Sequence, residues 1–117
     1  MKREIKFRAW NNKFKEFKFM SLINYLGGRG IMDDWADSEH SVWEQYTGLK
    51  DKNGVKIYEG DIVKVILQYW GQLGNKYEVT FEAGAFMVPT ATLYDIKGSV
   101  VVIGNIHENP ELLEEQS

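Results

Sequence analysis

The chain of 117 residues contains no cysteine, two prolines and two histidines, His40 and His107. The lack of cysteine excludes disulfides, thiolate metal sites and cysteine nucleophiles together. Two histidines, far apart and with no partner motif beside either, leave little material for a catalytic or metal cluster. The apolar run Val100–Ile103 falls far short of the ~20 residues that span a bilayer. No signal-peptide pattern opens the chain, so a soluble, cytoplasmic protein without a membrane partner is expected. Also missing are a serine in a G-x-S-x-G setting, a G-x-x-x-x-G-K phosphate loop and an H-E-x-x-H pair. Asp51-Lys52-Asn53-Gly54 has the look of a calcium loop but fails as one. Lys56 stands where that loop needs its glycine, and Ile62 where it needs its last glutamate. No catalytic residue, cofactor or metal ligand is therefore assigned, and catalysis ranks last among the functions considered.

The chain does hold enough apolar material for a core: 44% of residues are hydrophobic and 14% aromatic, a profile unlike that of a disordered chain. Its length suits one domain. The net charge of −3 is unevenly spread. Residues 1–18 carry seven basic groups against two acidic ones, a local +5, and the remainder carries −8. The basic residues Lys2, Arg3, Lys6, Arg8, Lys13 and Lys15 are candidate nucleic-acid contacts. The low isoelectric point, about 5.4, favours the alternative that this segment pairs with acidic surface, on its own chain or on another subunit.

Local patterning predicts a mainly-β protein. Glu4–Trp10 alternates, with Ile5, Phe7 and Ala9 on one face and Lys6 and Arg8 on the other, as in a half-buried strand. Asn11-Asn12-Lys13 suits a turn, and Phe14–Met20 resumes the extended pattern, giving an N-terminal hairpin. In its second arm Phe17 and Phe19 share one face while Phe14 and Met20 take the other. A surface hairpin buries only one face, and Trp10 points away from Ile5, Phe7 and Ala9. Trp10, Phe14, Phe17 and Phe19 are therefore candidate self-association residues of a homo-oligomer. Residues 21–41 read as an irregular, acidic insertion, interrupted by Gly27, Gly28 and Gly30.

From Val42 onward strands and turns alternate at barrel spacing. Strands are expected at Val42–Thr47, Ile62–Trp70, Tyr77–Phe81, Phe86–Val88, Thr92–Tyr94 and Ser99–Ile106, the last buried on both faces. Turns are expected at Asn53-Gly54, Tyr58–Asp61 and Glu82–Gly84. Asn109 and Pro110 mark the start of a C-terminal helix of about two turns. The organisation expected is residues 1–41, hairpin and insertion, followed by 42–117, a small barrel with its helix. Tyr46, Tyr58, Tyr69, Trp70 and Tyr94 sit beside turns, where aromatics either line a ligand groove or pack the barrel.

Four phrases occur in order: Arg3–Trp10; Gln45–Gly54, with the run Thr47-Gly48-Leu49-Lys50-Asp51; Ile57–Val63, with Tyr58-Glu59-Gly60-Asp61; and Val102–Leu113, with Gly104-Asn105-Ile106-His107-Glu108-Asn109-Pro110. Together they resemble the YopX family of small phage and prophage proteins over nearly the whole chain. His107 stands where that family more often shows tyrosine. The resemblance implies an SH3-type barrel in the C-terminal part, a phage or prophage origin and action in the host cytoplasm; it brings no catalytic residues to carry over. The function expected is a non-catalytic accessory protein that binds phage or host proteins or assembles with itself. The alternative is a nucleic-acid-binding module using the basic N-terminal strand and exposed aromatics.

Overall fold

A computed structural model describes residues 5–21 and 41–114. The insertion expected within 21–41 lies almost wholly outside the described residues, as do Lys2, Arg3, His40 and the side chain of Met20. The chain is mainly β and divides into two compact units, Met1–Tyr46 and Thr47–Ser117. Among the described residues no helix is long and apolar enough to cross a membrane.

The first unit is built on β1 (Lys6–Asn11) and β2 (Glu16–Ser21), an antiparallel hairpin, with β3 (Ser41–Lys50) antiparallel on the other side of β1. Both edges of β1 are paired, and over Arg8–Asn11 both of its faces are covered: Arg8, Ala9, Trp10 and Asn11 are all buried, not alternately exposed as the sequence pattern suggests. The connecting turn runs longer than expected. Asn11 Oδ1 accepts the amides of Lys13 (2.8 Å) and Phe14 (2.9 Å), and Lys15, at φ 56°, donates its N–H to Asn11 O. Phe14 therefore belongs to the turn and not to a strand face.

The boundary between the units falls inside β3, after Tyr46. In the second unit the end of β3 joins β4 (Lys56–Tyr58) through the expected Asn53-Gly54 turn, where Gly54 adopts φ 84°. Two further sheets follow. One has the order β10-β5-β6, from β5 (Asp61–Val65), β6 (Lys76–Glu78) and β10 (Val100–Asn105). The other has the order β7-β8-β9, from β7 (Thr80–Glu82), β8 (Ala85–Val88) and β9 (Ala91–Thr92). The sheet arrangement is a curled half-barrel. Its core is almost purely aliphatic: Ile57, Val63, Val65, Val79, Val88, Leu93, Ile96 and Val100 are buried, with Leu49, Tyr69, Tyr77 and Phe86 packed against them. Each such side chain contributes about 1.5–3 kcal/mol on leaving water.

Three sequence expectations are revised here. The strand expected at Tyr77–Phe81 is broken at Val79, whose N–H donates to Asp61 O (2.9 Å) and whose carbonyl accepts from Gly60 N–H (2.8 Å). Val79 is thus the residue at which the chain leaves one sheet for the next. Thr92–Tyr94 does not continue as a strand, because the Thr92 hydroxyl accepts the Asp95 amide (3.2 Å) and caps α1 (Leu93–Ile96). Asn109 does not cap the terminal helix through its side chain. Its Oδ1 accepts the Asn105 amide (3.3 Å), and among the described residues the helix α2 covers Glu111–Glu114.

Candidate interaction surfaces

Residues of the last three sequence phrases form backbone clamps. Asp51 is buried; its Oδ1 accepts the amides of Asn53 (2.8 Å) and Val55 (2.9 Å), and its Oδ2 accepts that of Val102 on β10 (2.9 Å). Asp61 is buried as well and accepts the Tyr58 amide at 2.8 Å, closing the turn around Gly60. Asn105 accepts the amides of His107 (3.0 Å) and Glu108 (2.9 Å) and donates Nδ2–H to Glu108 Oε1 (2.8 Å). Asn109 packs so closely that a Cβ on Gly104 would meet its Oδ1 at 2.6 Å. The side-chain oxygens of Asp51, Asp61, Asn105 and Asn109 accept from backbone amides, which makes these phrases instructions for turns and strand tethers.

The candidate self-association residues take three different positions. Directly opposed residues of neighbouring strands share a face, so Arg8 and Trp10 of β1 lie with Phe19 and Phe17 of β2 and with Glu44 and Val42 of β3. Trp10 is 5% exposed, edge-on to Phe17 (4.9 Å), with its indole N–H donating to Asn12 Oδ1 (2.8 Å). It is an internal packing residue, which corrects its assignment to an interface. Phe17 is half-buried under the Arg8 guanidinium, which lies 4.5 Å from the ring centroid. Phe19, 61% exposed and 5.9 Å from Phe17, continues the cluster to the surface. Val42 is exposed on the same face, and Phe14 is exposed on the turn under the Lys13 ammonium.

The candidate nucleic-acid set is reduced by the same geometry. Arg8 is buried, its Nε 2.8 Å from Glu44 Oε1, and the alternation that marked it as outward-facing missed this partner 36 residues away. It is removed from the candidate phosphate contacts. Lys2 and Arg3 lie outside the described residues; Lys6 is half-buried; Lys13 and Lys15 are exposed on the turn.

The five turn-side aromatics, Tyr46 in the first unit and the other four in the second, separate. Tyr46 and Tyr58 are buried and Tyr69 packs on the aliphatic core, so these three do not line an open groove. Trp70 and Tyr94 are exposed, Trp70 to 86%. Trp70 lies in residues 66–75, between β5 and β6, together with exposed Ile66, Leu67 and Leu73. The sequence suggests that β5 continues to Trp70. Instead it ends at Val65, which exchanges hydrogen bonds with Asn75 O (2.9 Å) and Gly74 N–H (2.8 Å) and so closes a loop.

No curated protein matches the chain. Among solved structures, the crystal structure of protein EF1440 from Enterococcus faecalis is similar over 93% of this chain and 97% of that one, with 26% identity and a TM-score of 0.62. The YopX protein family model matches residues 6–114, so the structural clamps at Asp51, Asp61 and Asn105 all fall inside the matched region, and the chain belongs to the YopX family.

Proposed function

We propose that this protein is a non-catalytic accessory module of a phage or prophage, acting in the host cytoplasm by binding proteins, and that it assembles with further copies of itself through the β1–β2 hairpin. The observation that carries the reading is Phe19. It stands exposed beside Phe17 on a face whose inner members, Trp10 and Phe17, are already packed together and which also carries the buried Arg8–Glu44 pair. A face that begins as core and ends in water resembles an interface that is half built. Exposed Val42 extends the face across β1, and Phe14 adds a further apolar group at the turn. Burying each of these would contribute about 1.5–3 kcal/mol to association. The clamp roles of Asp51, Asp61 and Asn105 support a binding role over a chemical one, since each side chain accepts from backbone amides.

Light scattering on a sizing column at about 50 μM, well above micromolar dissociation constants, tests the assembly. The expected result is a species larger than 13.6 kDa that Phe19→Glu dissociates without lowering the melting temperature. Phe19→Glu suits this purpose better than Phe17→Glu, because Phe17 also packs under Arg8 and Trp10. A single monomeric species would refute self-assembly.

A further inference from the structure

We propose that the loop of residues 66–75 is a docking tip for a protein segment that combines acidic residues with leucine-like or aromatic anchors. The proposal rests on the reading of the chain as a protein-binding module. It adds the chemistry of one partner, at a site in the second unit that shares no residue with the hairpin face.

The tip is held in shape while it displays apolar side chains. Gln72 N–H donates to Tyr69 O and Asn75 N–H to Gln72 O, both at 2.9 Å. The Gln72 side-chain oxygen accepts from the hydroxyls of Tyr77 (2.9 Å) and Thr90 (2.6 Å). The amides of Ile66 and Leu67 donate to Ser99 O. On this frame Ile66, Leu67, Trp70 and Leu73 are exposed within eight residues, Leu73 to 56%. Trp70 adopts φ 49°, a left-handed conformation that bulky residues seldom take and that costs conformational energy. The backbone is thus strained at the residue whose side chain it presents most fully. Tryptophan is also the residue type most enriched among binding hot spots.

Charge selects the partner. From Ile62 to Tyr77 the sequence contains no carboxylate. Lys64 lies directly opposite Lys76 at the base of the hairpin, and the Ser99 carbonyl brings the Lys97–Ser99 turn against Ile66. Two tips packed symmetrically would bring these lysine collars together, which disfavours a second copy and favours acidic groups around the anchors. The three aliphatic side chains offer nothing to a stacked base, which disfavours nucleic acid. Exposed Gln68 and Asn75 sit among the apolar groups and would lose their water in lipid, whereas a peptide backbone can bond to them.

The test is selection from a displayed library of random peptides of about 12 residues, the length of short recognition segments. The expected consensus combines Asp or Glu with Leu, Phe or Trp. One selected peptide is then titrated against the wild-type protein and against Trp70→Gly, which should keep its melting temperature because glycine accepts this backbone conformation. Affinity should fall at least about tenfold in the variant, as for a hot-spot residue. It should also weaken severalfold between about 50 and about 500 mM salt. Failure to select peptides, a basic or neutral consensus, or binding indifferent to Trp70→Gly would overturn the proposal. So would Trp70-dependent binding of oligothymidylate or phosphatidylglycerol vesicles. Trp70→Gly should leave self-assembly intact and Phe19→Glu should leave peptide binding intact, so either surface can fail without the other.

Discussion

Replacing Asp51 by asparagine separates the two tasks of its carboxylate. Oδ1 serves the local turn, accepting from Asn53 and Val55, and Oδ2 holds the Val102 amide of β10, 51 residues away. Asparagine retains one acceptor oxygen. If that oxygen stays in the turn, the new NH2 group faces the Val102 N–H, donor against donor. The change removes one hydrogen bond to a charged acceptor, about 1.5–3 kcal/mol, and strands a donor in a half-buried strand, about 1–3 kcal/mol. The two costs overlap, so about 3 kcal/mol is expected. Asp51→Ala should cost only about 1 kcal/mol more, because Asn53 and Val55 are exposed and water can serve their amides. Urea unfolding followed by tryptophan fluorescence measures both, with an unchanged denaturant slope if the native fold persists. An asparagine variant within about 0.5 kcal/mol of wild type would show that the Oδ2 bond is not a tether.

Other consequences are equally direct. Arg8→Met removes the ion-pair partner of the buried Glu44 carboxylate and should cost about 3–5 kcal/mol, whereas the double variant Arg8→Met/Glu44→Leu should recover most of that in the same unfolding assay. Gly54→Ala meets no atom within 4 Å and should cost about 1 kcal/mol from its left-handed backbone alone. Gly104→Ala has no such strain but collides with Asn109, and should cost about 1–3 kcal/mol with loss of the bond to the Asn105 amide; equal effects of a further Asn109→Ala change in both backgrounds would contradict this. Nucleic acid should bind more weakly than about 10 μM at physiological salt, since Arg8 is committed to Glu44; submicromolar, salt-sensitive binding in a fluorescence anisotropy titration would reverse that ranking.

The legible parts of the sequence were those in which local chemistry and fold agree. Asn53-Gly54 carries its turn because glycine supplies the positive φ, and the Tyr58–Asp61 turn closes through the Asp61 carboxylate on the Tyr58 amide three residues back. The errors share a cause. Arg8 was read as outward because alternation describes one strand, while its surroundings depend on Glu44 from β3. Phe14 was assigned to a strand because its apolar character outweighed a turn that Asn11 extends through its side chain. Ile66–Trp70 has strand-forming residues, but closure by Gly74 and Asn75 leaves the side chains of Ile66, Leu67 and Trp70 in solvent. In each case an interaction outside the strand pattern, distant for Arg8 and local for the other two, overrode propensity.

The corner at Val79 has a dynamic consequence. Its N–H and carbonyl clasp Asp61 and Gly60, and the Gly60 carbonyl in turn receives the Ile106 amide (2.9 Å) at the end of β10. Three segments distant in sequence therefore share one small knot of hydrogen bonds. None of those amides can meet solvent catalyst unless the others are also released, so Gly60, Val79 and Ile106 should exchange their hydrogens for deuterium together, at the rate of the unit's global opening. The half-barrel would then open as a single cooperative body and not strand by strand, with this corner as its latch.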